Sequence, residues 1–478
     1  MLFNSITFAV FLPVVFLLYW FVFNKNLKWQ NLFVAIASYV FYGWWDWRFL
    51  SLILFSTLVD FSIGRALEKE EVPSKRKMLL WSSLIINLGL LGVFKYYNFF
   101  LGSLYDVIPG LKATLGFNTL QIILPVGISF YTFQTLSYTI DVYRKQLKPT
   151  RDFISFAAFV SFFPQLVAGP IERASNLLPQ FSKKREFNYA LAVDGLRQIL
   201  WGLFKKIVIA DNCAEYANMI FNHSGEYNGS TLFLGAVFFA FQIYGDFSGY
   251  SDIAIGTARL FGFNLMQNFA FPYFSRDIAE FWRRWHISLS TWFRDYLYIP
   301  LGGSRGGTAK KVRNTFIIFV VSGFWHGANW TFIIWGFLNA LYFLPLLLSG
   351  KNRTHLGIVA ENRTLPNLKE FFQIGLTFFL TVIAWIFFRA ENLSHAFNYL
   401  KSMFSSSLFS FPSVFPRMII SLVLFFIIVE WNGRNNEYAI ERLGFNRKRV
   451  FRWSFYFLIS ILIFLFDGKE QAFIYFQF

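Results

Sequence analysis

The sequence predicts an all-α, polytopic integral membrane protein, and three observations carry that reading. Of its 478 residues, 55% are hydrophobic and 22% aromatic, against 15% charged. Apolar runs long enough to cross or nearly cross a bilayer recur from one end of the chain to the other. The Lys and Arg residues behind a formal charge of +17 collect in the short loops between those runs.

Composition decides the solvent. A soluble core of ordinary size cannot hide 66 Phe and 16 Trp, whereas hydrocarbon accepts Phe along a whole helix and Trp near its ends. The apolar runs fall at about 2–23, 31–45, 48–64, 78–104, 120–140, 153–170, 191–210, 231–263, 315–348, 371–389, 415–431 and 451–467. They predict roughly 11 crossings, some short or broken, with re-entrant or interfacial helices beside them. The first run has no basic segment before it and no small-residue cleavage pattern after it, so it is expected to stay as a span.

Charge decides orientation. Lys25 and Lys28, the stretch Arg65 to Lys77, the set Arg144, Lys145, Lys148 and Arg151, the triplet Lys183 to Arg185, and Arg276 to Arg313 alternate with loops poor in basic residues. The positive-inside rule places them on the cytoplasmic side, in a multi-pass protein of the cytoplasmic (inner) membrane. Asp211 to Ser230 holds no Lys or Arg and belongs on the opposite side with the N-terminus. Lys205 and Lys206, late in the 191–210 run, resist this scheme and predict a partly interfacial segment. No basic domain stands apart from the apolar runs, which argues against a nucleic-acid partner. No repeat, low-complexity tract or linker interrupts the chain, so residues 1–478 read as a single membrane domain.

One cysteine, Cys213, excludes internal disulfides and Cys-ligated metal clusters. As an acylated nucleophile or palmitoylation site it would be reactive; a free, inert thiol at a helix end is the plainer reading.

Three constellations carry chemistry. The run 315–348 is about 50 Å long if straight, against an apolar thickness of about 30 Å, so it must tilt, break or extend beyond the bilayer. Gly323 and Gly327 bracket Phe324, Trp325 and His326 and allow a bend there. His326 lies about 16 Å along the run, near mid-membrane. A titratable group at that depth is a functional candidate unless it merely bonds a neighbouring helix.

The second constellation is RDIAEFWRRWHISLSTWFRDYLYIPLGGSRGG, residues 276–307. Read as one helix, it has Trp282, Trp285, Leu289, Trp292 and Tyr296 as an aromatic stripe, with His286 at its edge. Arg276, Arg283 and Arg294 share a flank, and Arg284 and Asp295 lie on the far face. This suits an interfacial or re-entrant helix whose arginines either anchor topology or hold an anionic donor such as a coenzyme A thioester. The third constellation, YGDFSGYSDIAIG at 244–256, puts Asp246, Ser248, Ser251 and Asp252 late in an apolar run. Its carboxylates have four open roles: pairing with the arginines of 276–294, orienting a His, binding a hydroxyl, or pairing for structure alone. Two His forty residues apart, with no HExxH and no Cys pair, predict no metal site. Phosphate-loop, dinucleotide-binding and nucleophile-elbow patterns are absent too, and no permanently bound cofactor is expected.

At this point WHISLSTWFRDYLYIPLGG at 285–303 and SGFWHGANWTFIIWG at 322–336 resemble the two signatures of the membrane-bound O-acyltransferase family. The closer resemblance is to its bacterial alginate O-acetylation subgroup, supported by PVGISFYTFQTLSYTIDVYR at 125–144, FFPQLVAGPIER at 162–173 and GDFSGYSDIAIG at 245–256. The signature core spans about 120–345, and the flanking helices fit as well. The resemblance implies a shell of tilted helices around a tunnel, with the family histidine at His326 and the second signature histidine at His286. It also implies a cytoplasmic acyl donor such as acetyl-CoA, a polysaccharide acceptor, and a separate periplasmic or extracytoplasmic esterase-like acetyltransferase partner that completes transfer.

The residues suit that chemistry. A neutral His accepts a proton from an attacking hydroxyl, and its ordinary pKa of about 6.5 keeps the neutral form available. His326 is therefore the expected general base, with His286 positioning donor or substrate. Trp285, Arg294, Asp295, Trp325, Asn329, Asp246 and Asp252 are the candidate substrate or donor contacts. A tunnel near Trp325, Asn329 and Trp330 would exclude water and disfavour hydrolysis. Two rival readings stand: a D-alanyl transferase of teichoic acid synthesis, in the same family, and a proton-coupled transporter relaying through His326, Asp246 and Asp252. Transporters usually carry inverted repeats, and none is visible here.

Overall fold

The computed structural model describes residues 1–108, 110, 120, 124–167, 169–466, 471 and 473–474, and every regular element among them is helical. Residues 121–123 at the head of the 120–140 run, Ala168 within 162–173 and Asp467 at the end of the last run lie outside the described residues. The chain packs as two compact units, residues 1–192 with 257–265 and residues 193–256 with 266–478.

Among the described residues, five helical stretches are long and apolar enough to cross a membrane: Leu27–Lys69, Pro73–Val107, Gly229–Leu260, Trp330–Leu348 and Leu368–Arg389. The first holds two expected runs, because the single turn Trp47–Phe49 bends Leu27–Asp46 into Leu50–Lys69. Other expected runs form shorter pieces. The 153–170 run breaks at Phe162, ahead of Pro164, into Phe153–Ser161 and Phe163–Leu166. Arg417–Gly433 and Arg449–Leu465 reach 17 residues each, just short of the roughly 20 that a crossing needs.

In the first unit, a carboxylate that no sequence pattern singles out ties three helices together. Asp60 accepts hydrogen bonds from Ser83 Oγ at 2.5 Å, Asn87 Nδ2 at 2.8 Å and Thr139 Oγ1 at 2.8 Å. A buried carboxyl in an apolar helix needs such donors to offset its lost hydration. Several of the basic residues are held within the same unit: Arg151 pairs with Glu68 at 3.0 Å, Arg76 donates to the Tyr143 carbonyl at 2.9 Å, and Arg185 donates to Asn31 Oδ1 at 2.6 Å.

In the second unit, glycines bring two backbones to near contact. Tyr189–Leu203 runs on into a π-helical turn, Phe204–Asp211, beside Gly229–Leu260. A Cβ added at Gly202 would lie 2.7 Å from the Gly249 carbonyl oxygen, and one at Gly249 would lie 2.8 Å from the Gly202 carbonyl oxygen. Small residues at membrane helix interfaces permit this approach. Gly249→Val should therefore cost about 1–3 kcal/mol by overpacking, read as a lowered melting temperature and a diminished monodisperse peak on gel filtration in detergent. All eight residues of Phe204–Asp211, at and just beyond the end of the 191–210 run, are buried, Lys205 and Lys206 included.

The 315–348 run resolves by breaking. Thr308–His326 and Trp330–Leu348 form a helical hairpin joined at residues 327–329. The helix passes straight through Gly323 and ends at His326, so Gly323 serves close packing and not bending. A Cβ there would collide with the Phe332 carbonyl, and one at Gly336 with the Phe319 carbonyl.

Candidate active site

The 276–307 segment is not one helix. It divides into Ile278–Arg284, Ile287–Phe293 and the π-helical turn Arg294–Tyr298. The first break falls at Trp285 and His286, and His286 sits in the left-handed region at φ 44°. A non-glycine residue held there is strained and needs its surroundings to fix it. Asn268 does so: its carbonyl accepts the Ile287 N–H at 2.9 Å, and its side-chain Oδ1 accepts the Ser288 N–H at 3.3 Å and the Ser288 hydroxyl at 2.8 Å. The aromatic stripe survives the break, with Trp285, Leu289 and Trp292 all buried.

The break brings the two signature histidines together. The His286 and His326 ring centroids are 6.4 Å apart, and both side chains are buried, at 1% and 3% exposure. Trp325 lies 6.1 Å from His286 and 4.9 Å from His326. Trp335 and Phe388 close the far side of His326 at 5.1 and 5.3 Å, both nearly edge-on. Phe247 stands perpendicular to His286 at 4.6 Å. Trp285 packs 5.1 Å from Trp385, which stacks on Trp335 at 5.6 Å, so a row of three indoles runs from the break at Trp285 to the ring beside His326. Burial lowers the His286 pKa to about 3. Burial therefore favours the neutral imidazole over the imidazolium.

Asn329 and the candidate charges are engaged with the protein itself. Asn329 caps its helix, with Oδ1 accepting the Thr331 N–H at 3.0 Å and Nδ2 donating to the Glu391 carbonyl at 2.8 Å. Arg294 pairs with neighbouring Asp295 at 2.6 Å and is 58% exposed. Arg276 and Arg284, placed on opposite faces by the single-helix reading, both bind Glu280 at 2.9 Å. Burial raises the Glu280 pKa, but the two guanidinium groups outweigh it and hold the carboxyl below its ordinary value. Arg283 donates to the carbonyls of Asn352 and His355 at 2.9 and 2.7 Å.

Asp246 and Asp252 do not reach the arginines of 276–294. Asp252 pairs with Lys205 at 2.5 Å and Asp246 with Lys206 at 2.9 Å, while Lys206 also binds Asp211 at 2.7 Å. These pairs explain why two lysines survive late in an apolar run. Glu430 joins the same buried region, accepting from Tyr244 Oη at 2.5 Å and Trp201 Nε1 at 3.2 Å. Its signal was legible as a lone carboxylate ending the apolar run 415–431. Asn268 gave no signal, since one amide in an irregular segment follows no period.

A multi-pass helical chain that buries two imidazoles among aromatic side chains is an integral membrane protein with a histidine pair in its interior. Residues 146–388 match the membrane-bound O-acyltransferase family. The chain is 42% identical over 407 residues to the probable alginate O-acetylase AlgI of Pseudomonas aeruginosa, covering 85% of this chain and 75% of that one. It is 39% identical over 451 residues to the probable alginate O-acetylase AlgI of Azotobacter vinelandii, covering 93% and 87%. It is 37% identical over 432 residues to the peptidoglycan O-acetyltransferase of Helicobacter pylori, covering 84% and 80%. The chain belongs to the membrane-bound O-acyltransferase family and is an O-acyltransferase.

Proposed function

We propose that this enzyme moves an acetyl group from cytoplasmic acetyl-CoA towards hydroxyls of an exported or cell-envelope polysaccharide, in the cytoplasmic membrane. The observation that carries the reading is the pair of buried imidazoles, whose ring centroids lie 6.4 Å apart, near enough for both rings to act on one hydroxyl. In this reading His326 takes the proton of the attacking hydroxyl as its oxygen bonds to the thioester carbonyl carbon. The carbonyl re-forms as the C–S bond breaks, and the proton passes to the departing thiolate. Trp325, Trp335 and Phe388 keep water from competing for the thioester. A periplasmic esterase-like partner completes the transfer to sugar. The relatives named as acetylases favour acetyl over D-alanyl transfer.

Membrane vesicles supplied with acetyl-labelled coenzyme A on the cytoplasmic side should place label on extractable polymer. Label that enters only from a D-alanyl carrier thioester would overturn the donor assignment, and flux of a substrate without label transfer would favour the transporter.

A further inference from the structure

The side-chain amide of Asn268 is hydrogen-bonded at both ends, and the directions of those bonds decide a proton position. The Ser288 backbone N–H can only donate, so the Asn268 oxygen faces it, at 3.3 Å. The Ser288 hydroxyl points to the same oxygen at 2.8 Å. The amide nitrogen therefore lies on the other side, where it donates to Ser251 Oγ at 3.1 Å. His286 Nδ1 lies 3.1 Å from that same Asn268 oxygen. Two acceptors cannot share a hydrogen bond, so Nδ1 carries the ring proton. The Ser288 hydroxyl, 3.4 Å from Nδ1, is already directed at the oxygen. Nε2, on the ring edge turned away from Asn268, then holds the lone pair.

We propose that Asn268, oriented by Ser251, is a positioning residue that fixes His286 as its Nδ1–H tautomer, so that Nε2 accepts a hydrogen bond from the acceptor hydroxyl and aligns it for His326. The inference rests on the acyl-transfer reading and divides the labour between the two rings: His286 orients the hydroxyl, and His326 removes its proton. Phe247, Phe269 and Trp325 surround His286, and His326 is the titratable side chain in ring contact with it. The strained φ of His286 fits the same role, because the bonds that impose it also set the ring.

Two measurements on the full chain in liposomes or native membranes test this. Solid-state NMR of protein carrying ¹⁵N-histidine, with His286 assigned by difference from His286→Gln, should show His286 as Nδ1–H. Asn268→Ala should give a mixture of tautomers, and Asn268→Asp an imidazolium fraction held by the new carboxylate. Acetyl transfer should fall about 10–100-fold in Asn268→Ala, less in Ser251→Ala, and least in Asn268→Gln, which keeps the amide oxygen. In Asn268→Asp the rate should climb as pH rises from 6 to 9, because a protonated ring cannot accept; the parent should show no such limb from this group. A purely structural role would lower folded yield without moving the tautomer or the pH profile. An Nε2–H signal in the parent protein, or an unchanged tautomer in Asn268→Ala, overturns the proposal. Should Asn268→Ala fail to fold, the tautomer of the parent and the Ser251→Ala rate still decide. Should His326→Ala keep full transfer while His286 remains Nδ1–H, the acyl-transfer mechanism falls and the tautomer assignment stands.

Discussion

Replacing His326 by alanine is expected to lower acetyl transfer by about 10²–10⁴-fold, the range that a positioned general base supplies. The side chain is 3% exposed and ends the helix Thr308–His326 against Trp325, Trp335 and Phe388. Truncation also leaves a cavity, and a stability loss of about 2–3 kcal/mol would accompany it. His326→Gln separates the two effects, because it keeps most of the volume and a hydrogen-bonding end but cannot take a proton at neutral pH. Both variants should lose transfer, while Gln should retain the detergent melting temperature of the parent. Equal label on polymer from parent and His326→Gln membranes, at matched protein level, would remove His326 from the chemistry.

The parts of this molecule that were legible in the sequence are those set by solvent and by spacing. Apolar length marked the helical membrane class, and the 34 residues of the His326 run, too long for one bilayer thickness, required a tilt, a break or an extension, of which the structure shows the break. The placement of that break was less legible. Two glycines suggested a bend around His326, yet the chain turns after it, where Asn329 can cap the next helix. Gly323 instead answers to the Phe332 carbonyl on the facing helix. That is a tertiary contact that no local pattern records. The 276–307 stripe misled in a similar way. Its heptad-like spacing fits one amphipathic helix, but the bonds of Asn268 to Ile287 and Ser288 hold the chain in a left-handed step at His286. The partner that breaks the helix lies 18 residues away, beyond the reach of periodicity. Lys205 and Lys206 were visible as anomalies, and only the glycine contact between Gly202 and Gly249 shows why they face carboxylates rather than water.

Those lysines supply the second large effect. Lys205 and Lys206 have side chains 4% and 1% exposed, bound to Asp252, Asp246 and Asp211. Removing one partner of a buried pair strands the other charge, at a cost of about 3–5 kcal/mol. Lys206→Met should be the worse single change, because it strands two carboxylates. Lys205→Met combined with Asp252→Leu should recover most of the loss of Lys205→Met alone, since no charge is left behind. Recovery stops short of complete because Gln198 Nε2, now 2.8 Å from Asp252 Oδ1, loses its acceptor, a further cost of about 1–3 kcal/mol. Thermal aggregation of the detergent-solubilised protein gives the order: parent, double variant, Lys205→Met, Lys206→Met. The same set weighs structure against a proton relay. Groups that only hold the Phe204–Asp211 turn to Gly229–Leu260 leave transfer per folded molecule near the parent value in the double variant. A relay through Asp252 would lose that activity while the fold recovers, and such a split between stability and rate would assign these carboxylates to chemistry after all.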